Sequence, residues 1–169
     1  MNLNSLQDVL QEQVEDLYSA EQQLLAALPK VAEAAHSEEL KQAFVEHLEQ
    51  TRGHVRRLEQ VFGQLGIAGS STTCKAMQGL VEEGDEIVAL GGDPLAKDAA
   101  LIAAAQRIEH YEIAAYGTAR ALAGELGLDE SAALLGDTLD EEGAADKRLT
   151  KIATGGMFRG GVNEAAAAR

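Results

Sequence analysis

The sequence predicts an all-α fold: a four-helix bundle of two antiparallel helical hairpins, joined by a crossover connection that carries an additional short helix. Three observations carry that prediction. Alanine, leucine, glutamate and glutamine dominate the composition, which favours helix. Only two prolines interrupt the 169 residues. Apolar residues recur at three- and four-residue steps over long stretches, as at Leu24, Leu28 and Val31.

The first helix is expected from about Leu6 to Ala35, with a break near Pro29. The second is expected from about Ser37 to Leu65, with Ser37 as N-cap and Glu38 and Glu39 at its positive end. "GIAGSSTTC" then reads as turn and loop. A shorter helix follows from about Thr73 to Leu90, with Met77, Leu80, Val81, Ile87 and Val88 on one side. "GGDP" ends it and begins the next helix, about Pro94 to Leu126, with Asp93 as N-cap and Pro94 at the first helical position. The last long helix runs from about Asp129 to Ala153. The bundle domain is expected over residues 1–155, and the Gly/Ala-rich segment 156–169 as a flexible tail. Two hairpins with a long helical insert between them describe the ferritin-like form of the bundle. A five-helix up-down array is the alternative.

Each long helix carries a polar residue where its apolar ladder calls for a hydrophobic one. In the first, Glu21 fills the gap between Leu17 and Leu24. The second reads Phe44, Leu48, Thr51, Val55, Leu58, with His47, Gln50 and His54 near the middle. The fourth reads Leu101, Ala105, Ile108, Glu112, Ala115, Ala119, Leu122. The fifth reads Leu135, Thr138, Glu142, Ala145, Leu149, Ile152. In an antiparallel bundle these residues fall at similar depths. A buried, unpaired carboxylate costs several kcal/mol, roughly, and one shared cation offsets that cost for all of them. Second residues sit a turn away: His54 after Gln50, Glu109 before Glu112, and Asp146 after Glu142. Di-metal bundles use one Glu from each of two helices and a Glu plus a second ligand from the others. The candidate ligands are therefore Glu21, Gln50, His54, Glu109, Glu112, Glu142 and Asp146, around two ions of iron or manganese. The bland alternatives are snorkelling carboxylates, ion pairs and surface histidines, with His47 the weaker ligand candidate. Tyr116 is a packing residue within reach of a ligand carboxylate, and Cys74 and Met77 read as core.

The net charge of −14 argues against nucleic acid or an anionic membrane as partner. No apolar run is long enough to span a bilayer. A single cysteine excludes an internal disulfide, and "MNLNSLQDVL" lacks the regions of a secretory leader, so a cytoplasmic location is expected. There is no GxSxG, HExxH, P-loop or CxxC motif.

"DLYSAEQQLLAALPKVA", "HLEQTRGHVRRLEQVF", "DAALIAAAQRIEHYEIAAYGTARALA" and "TLDEEGAADKRLTKIA" resemble the YciF-like family of ferritin-like bacterial proteins, over nearly all of residues 3–153. The resemblance implies a rubrerythrin-related bundle, a homodimer, and a link to bacterial stress responses. The family's "SAE" glutamate corresponds to Glu21, its "HYE" glutamate to Glu112, and its last-helix pair to Glu142 and Asp146. The second helix departs from the pattern: the family commonly reads "HLEET", and Gln50 stands where the second glutamate falls. The functional expectation is a di-metal carboxylate centre with oxygen- or peroxide-linked redox chemistry. The alternative is a non-catalytic metal-binding or structural protein of the stress response, with a degenerate or empty site.

Overall fold

The computed structural model describes residues 3–69, 71–156 and 159–168. Helix α1 spans Leu6–Ala34, α2 Glu38–Leu65, α3 Lys75–Ala89, α4 Pro94–Glu125 and α5 Asp129–Thr154. Local chemistry explains their starts. The Ser5 hydroxyl accepts from the Asp8 amide and the Asp8 carboxylate accepts from the Ser5 amide, a reciprocal capping box. The Ser37 hydroxyl caps α2. Asp93 accepts from the Leu95 and Ala96 amides at 2.9 and 3.0 Å, ahead of Pro94 in the first turn of α4. Helix α2 ends at Gly66, whose φ of 71° suits the left-handed cap. The break expected at Pro29 does not occur, because α1 continues through it. Pro29 is exposed, while Leu24, Ala27, Leu28 and Ala32 around it are buried and hold the helix together.

Cross-helix contacts decide the topology. The buried Asp98, near the start of α4, accepts from the His36 and Ser37 amides at the start of α2, at 2.8 and 2.7 Å. Helices α2 and α4 therefore begin at the same end and run parallel. The connection between them must travel the length of the bundle, and it does so along α1. Thr72 donates to Glu15, the Cys74 amide donates to Ser19, and Lys30 pairs with Asp85 at 3.1 Å. This is the crossover arrangement rather than a five-helix up-down array. Around the bundle, α1 packs on α2 and α4, and α5 packs on the same two helices.

The Gly/Ala-rich end of the chain departs from the expected flexible tail. Gly155–Gly156 pairs with Arg159–Gly160 in a short antiparallel ladder of strands β1 and β2. A final helix, α6, Val162–Ala167, packs on α4 and α5 and buries Val162. The glycines make this close return feasible. Gly155 has φ 77°, and a Cβ on Gly161 would collide with the Ala153 carbonyl and the Gly155 amide nitrogen. Met157, Phe158 and Arg169 of the expected tail lie outside the described residues.

Two apolar clusters fill the bundle. One centres on Leu24, Leu28, Leu40, Phe44, Leu101 and Leu149. The other centres on Leu10, Val14, Leu17, Leu58, Tyr116 and Leu135. On every long helix the boundary between them falls at the polar residues of the ladder.

Candidate metal centre

The boundary layer contains Glu21, His47, Thr51, His54, Glu109, Glu112, Thr138 and Glu142, all buried. Each is placed by ordinary helix periodicity, and the apolar rungs on both sides bury it whatever its polarity. The donor atoms form two groups, each with its ligating atoms within 4.8 Å of one another: His47, Glu109, Glu112 and Glu142, and Glu21, His54 and Glu142. Glu142 belongs to both.

His54 Nδ1 lies 3.2 Å from Glu21 Oε1 and 2.9 Å from Glu142 Oε1. His47 Nε2 lies 3.4 Å from Glu109 and 3.8 Å from Glu142. The Tyr116 phenol, fully buried, donates to Glu21 Oε1 at 2.6 Å. Most of the remaining donor atoms meet no hydrogen-bond partner among the described residues. They include both oxygens of Glu112 and Glu142, one oxygen each of Glu21 and Glu109, His47 Nε2 and His54 Nδ1. Unsatisfied buried polar atoms cost about 1–3 kcal/mol each, and more when charged. Adjacent ligands on a transition-metal ion, at about 2.0–2.2 Å from it, stand roughly 3 Å apart. The spacing around His54 Nδ1 matches that separation, without the direction of a hydrogen bond. The residues present therefore fit a metal ion, and Glu142 is common to both donor groups.

Without metal, the cluster holds protons. Burial, and then the charges of Glu21, Glu142 and Glu109, push the Glu112 carboxyl well above its ordinary range. Burial and Glu142 do the same to Glu109, and burial raises Glu21. Burial opposes the charging of His54, but the carboxylates of Glu142 and Glu21 outweigh it and push the imidazole up to about 10. Burial would raise Glu142 too, but the neighbouring His54 and His47 hold it below the usual value.

Of the residues singled out in the sequence, Glu21, His54, Glu109, Glu112 and Glu142 come together in these groups. Gln50 is half-buried, and its Oε1 lies 3.4 Å from His47 Nδ1, on the side of that ring away from Glu109 and Glu142. It faces the imidazole rather than the carboxylates. Asp146 points elsewhere: it accepts from Gln106 at 3.0 Å and faces the exposed His110 at 3.3 Å. Four residues advance a helix by about 400°, so Asp146 stands about 40° around α5 from Glu142. His47 lies in the cluster, although it ranked as the weaker candidate. Its signal was the spacing His47, Thr51, His54, which continues the buried ladder from Leu40 and Phe44 to Leu58.

Glu141 carried no such signal. It receives two bonds from Arg57, at 2.7 and 2.8 Å, and its Oε2 is 2.9 Å from His54 Nε2. A hollow of about 20 Å³, lined by His47, Gln50, Glu109 and Arg148 among others, abuts the cluster. Cys74 Sγ lies 3.0 Å from the Tyr111 phenol, which donates to Asp16. Burial pushes the Cys74 thiol up, away from reactive thiolate chemistry.

A crossover four-helix bundle with a carboxylate–histidine layer across its core defines a ferritin-like protein. The comparisons with known proteins are specific. The chain belongs to the family described as a domain of unknown function, DUF892, whose pattern matches residues 5–167. It is 44% identical to protein YciF of Escherichia coli K12 over 166 residues, 98% of this chain and 100% of that protein. The crystal structure of the E. coli stress protein YciF superposes with a TM-score of 0.85 at 46% identity, over 88% of this chain and 94% of that one. YcfI of Rhodopseudomonas palustris gives a TM-score of 0.86 at 43% identity, over 90% and 97%. A Xanthomonas campestris protein shares the fold alone, with 19% identity and a TM-score of 0.72 over 97% and 95%.

Proposed function

We propose that this chain is a stress-associated di-metal protein that binds two ions of iron or manganese in its bundle core and uses them in peroxide- or dioxygen-linked redox chemistry. One observation carries the reading: Glu142 is common to two donor groups most of whose ligating atoms lack a hydrogen-bond partner among the described residues. The description of the E. coli relative as a stress protein supports the setting.

Glu21, His54 and Glu142 would hold one ion; His47, Glu109, Glu112 and Glu142 would hold the other. Carboxylate and imidazole donors suit iron, manganese and zinc, and redox turnover selects the first two. When bound, adjacent ions supply electrons and Lewis-acid coordination to a peroxide or dioxygen molecule. The chain's own residues do the rest. Tyr116 holds Glu21 in one orientation. The apolar clusters on both sides exclude bulk water. The hollow beside His47, Gln50 and Glu109 has room for a molecule the size of water next to the donor groups.

The test is metal analysis of protein purified without chelator, followed by stopped-flow absorbance with peroxide. The expected result is about two iron or manganese ions per chain and peroxide consumption that depends on them. Absence of both metals, with no uptake on anaerobic addition of Fe²⁺ or Mn²⁺, overturns the reading. Bound metal without peroxide or oxygen consumption leaves a structural metal centre. The homodimer belongs to the same proposal, and mass measurement in solution tests it.

A further inference from the structure

Resting on the metal-centre reading above, we propose that Arg57 and Glu141 are positioning residues that make the His54 half of the centre the preorganised half, so that it fills first. The imidazole of His54 is fully buried, with Nδ1 toward Glu21 and Glu142 and Nε2 toward Glu141. An ionised carboxylate only accepts, so Glu141 requires a proton on Nε2. With Nε2 bonded to Glu141, Nδ1 is the nitrogen that gives up its proton and turns its lone pair to a metal ion.

Glu141 is itself held. Arg57 grips both its oxygens with the two arms of the guanidinium, at 2.7 and 2.8 Å, and also donates to Thr138 at 3.2 Å. The planar fork fixes the carboxylate's orientation as a single ammonium cannot. Its charge also matters. Arg57 neutralises Glu141, so the pair orients His54 without adding net negative charge beside Glu21, Glu109, Glu112 and Glu142. Arg57 and Glu141 are only partly buried, with side-chain exposures of 24% and 33%, so holding them there carries a modest desolvation cost.

His47 is held differently. Its outer nitrogen has the neutral Gln50 Oε1 at 3.4 Å, longer than a well-formed N–H···O bond. The small hollow lies against this ring and not against His54. One imidazole is thus locked by a charged, clamped acceptor, and the other has a long contact and adjoining space.

The experiment is an anaerobic Co²⁺ titration of metal-stripped protein against a competing chelator, paired with ¹⁵N NMR of the imidazole nitrogens in the Zn²⁺-loaded protein. Wild type is expected to bind in two steps, with the His54 ring metal-bound at Nδ1 and protonated at Nε2. Glu141→Gln is expected to weaken the tighter step by about 10–100-fold and to leave the second unchanged. Arg57→Gln should act in the same direction. Two unchanged steps in both variants overturn the inference and leave the metal centre standing. Equal weakening of both steps, together with a lower melting temperature of the stripped protein, assigns the pair a general structural role and also overturns it. A wild type that takes up no Co²⁺ overturns the metal-centre reading, and this inference with it.

Discussion

Glu112 shows the cost of the site at the scale of one residue. It is fully buried, and neither carboxylate oxygen has a partner among the described residues. Removing its ionisable group relieves the stripped protein and harms the loaded one. Glu112→Gln should therefore raise the melting temperature measured in chelator, by about 1–3 kcal/mol of stability, and abolish the rise that metal gives the wild type. Paired thermal scans with and without Mn²⁺ check both halves. A lower melting temperature in chelator would show that the carboxyl itself stabilises the metal-free fold. His47 and Gln50 illustrate a different point. A one-residue rotation of the assumed helix face put Leu48 in the ladder and left His47 beside it, although buried positions run through Leu40, Phe44, His47, Thr51 and His54.

At the scale of elements, two contacts hold the bundle's ends. Asp98 links the starts of α2 and α4 through two backbone amides. Asp98→Ala leaves those amides in a partly buried turn without their acceptor. It should lower unfolding stability by about 3 kcal/mol in urea titration, while Asp98→Asn, which keeps an acceptor, should lose less. Neither change alters the metal donors, so the stoichiometry of bound ions should hold under native conditions. At the other contact, Gly161 lets α6 return against the end of α5. Gly161→Ala should undock α6, read as faster hydrogen exchange over Val162–Ala167 with protection at the centre of α4 unchanged. Gly-rich composition suggested mobility in this segment because glycine breaks helices in isolation. Here the same property permits a turn that no side chain would fit.

At the scale of the whole molecule, the polar layer makes stability depend on pH and metal together. Glu21, Glu109 and Glu112 have folded values above their ordinary 4.5, and His54 is raised from 6.5 to about 10. Each such group binds more protons in the folded state than in the unfolded state. Its contribution is fully present below the unfolded value and is lost as pH rises through the folded one. Glu142 is lowered and acts oppositely, losing its contribution as pH falls below 4.5. The stripped protein should thus lose stability as pH rises from about 5 toward 10, read by denaturant midpoints at each pH. Metal affinity should climb over that range, because the donors must shed their protons to bind. A stripped protein that gains stability with pH would contradict the proton-holding cluster.

Residue patterns alone specified the four long helices and the crossover helix, the Ser37 and Asp93 caps and the depth of the polar layer. Helix periodicity is local, so Glu21, Glu112 and Glu142 were legible as interruptions of apolar ladders without any knowledge of their neighbours. It also supplied the two-hairpin order that made a crossover the favoured topology. Tertiary structure decided what periodicity leaves open. The Asp98 contact made α2 and α4 parallel. Helix rotation of a few tens of degrees turned Asp146 toward Gln106, set Gln50 against the outer nitrogen of His47, and placed Glu142 between two donor groups. Pairing across helices made Glu141 and Arg57 the outer support of His54. A spacing rule gives a residue's face to within one position on the helix, whereas coordination by metal depends on atoms brought from four helices to within a few ångströms. Only the packed bundle fixes that distance.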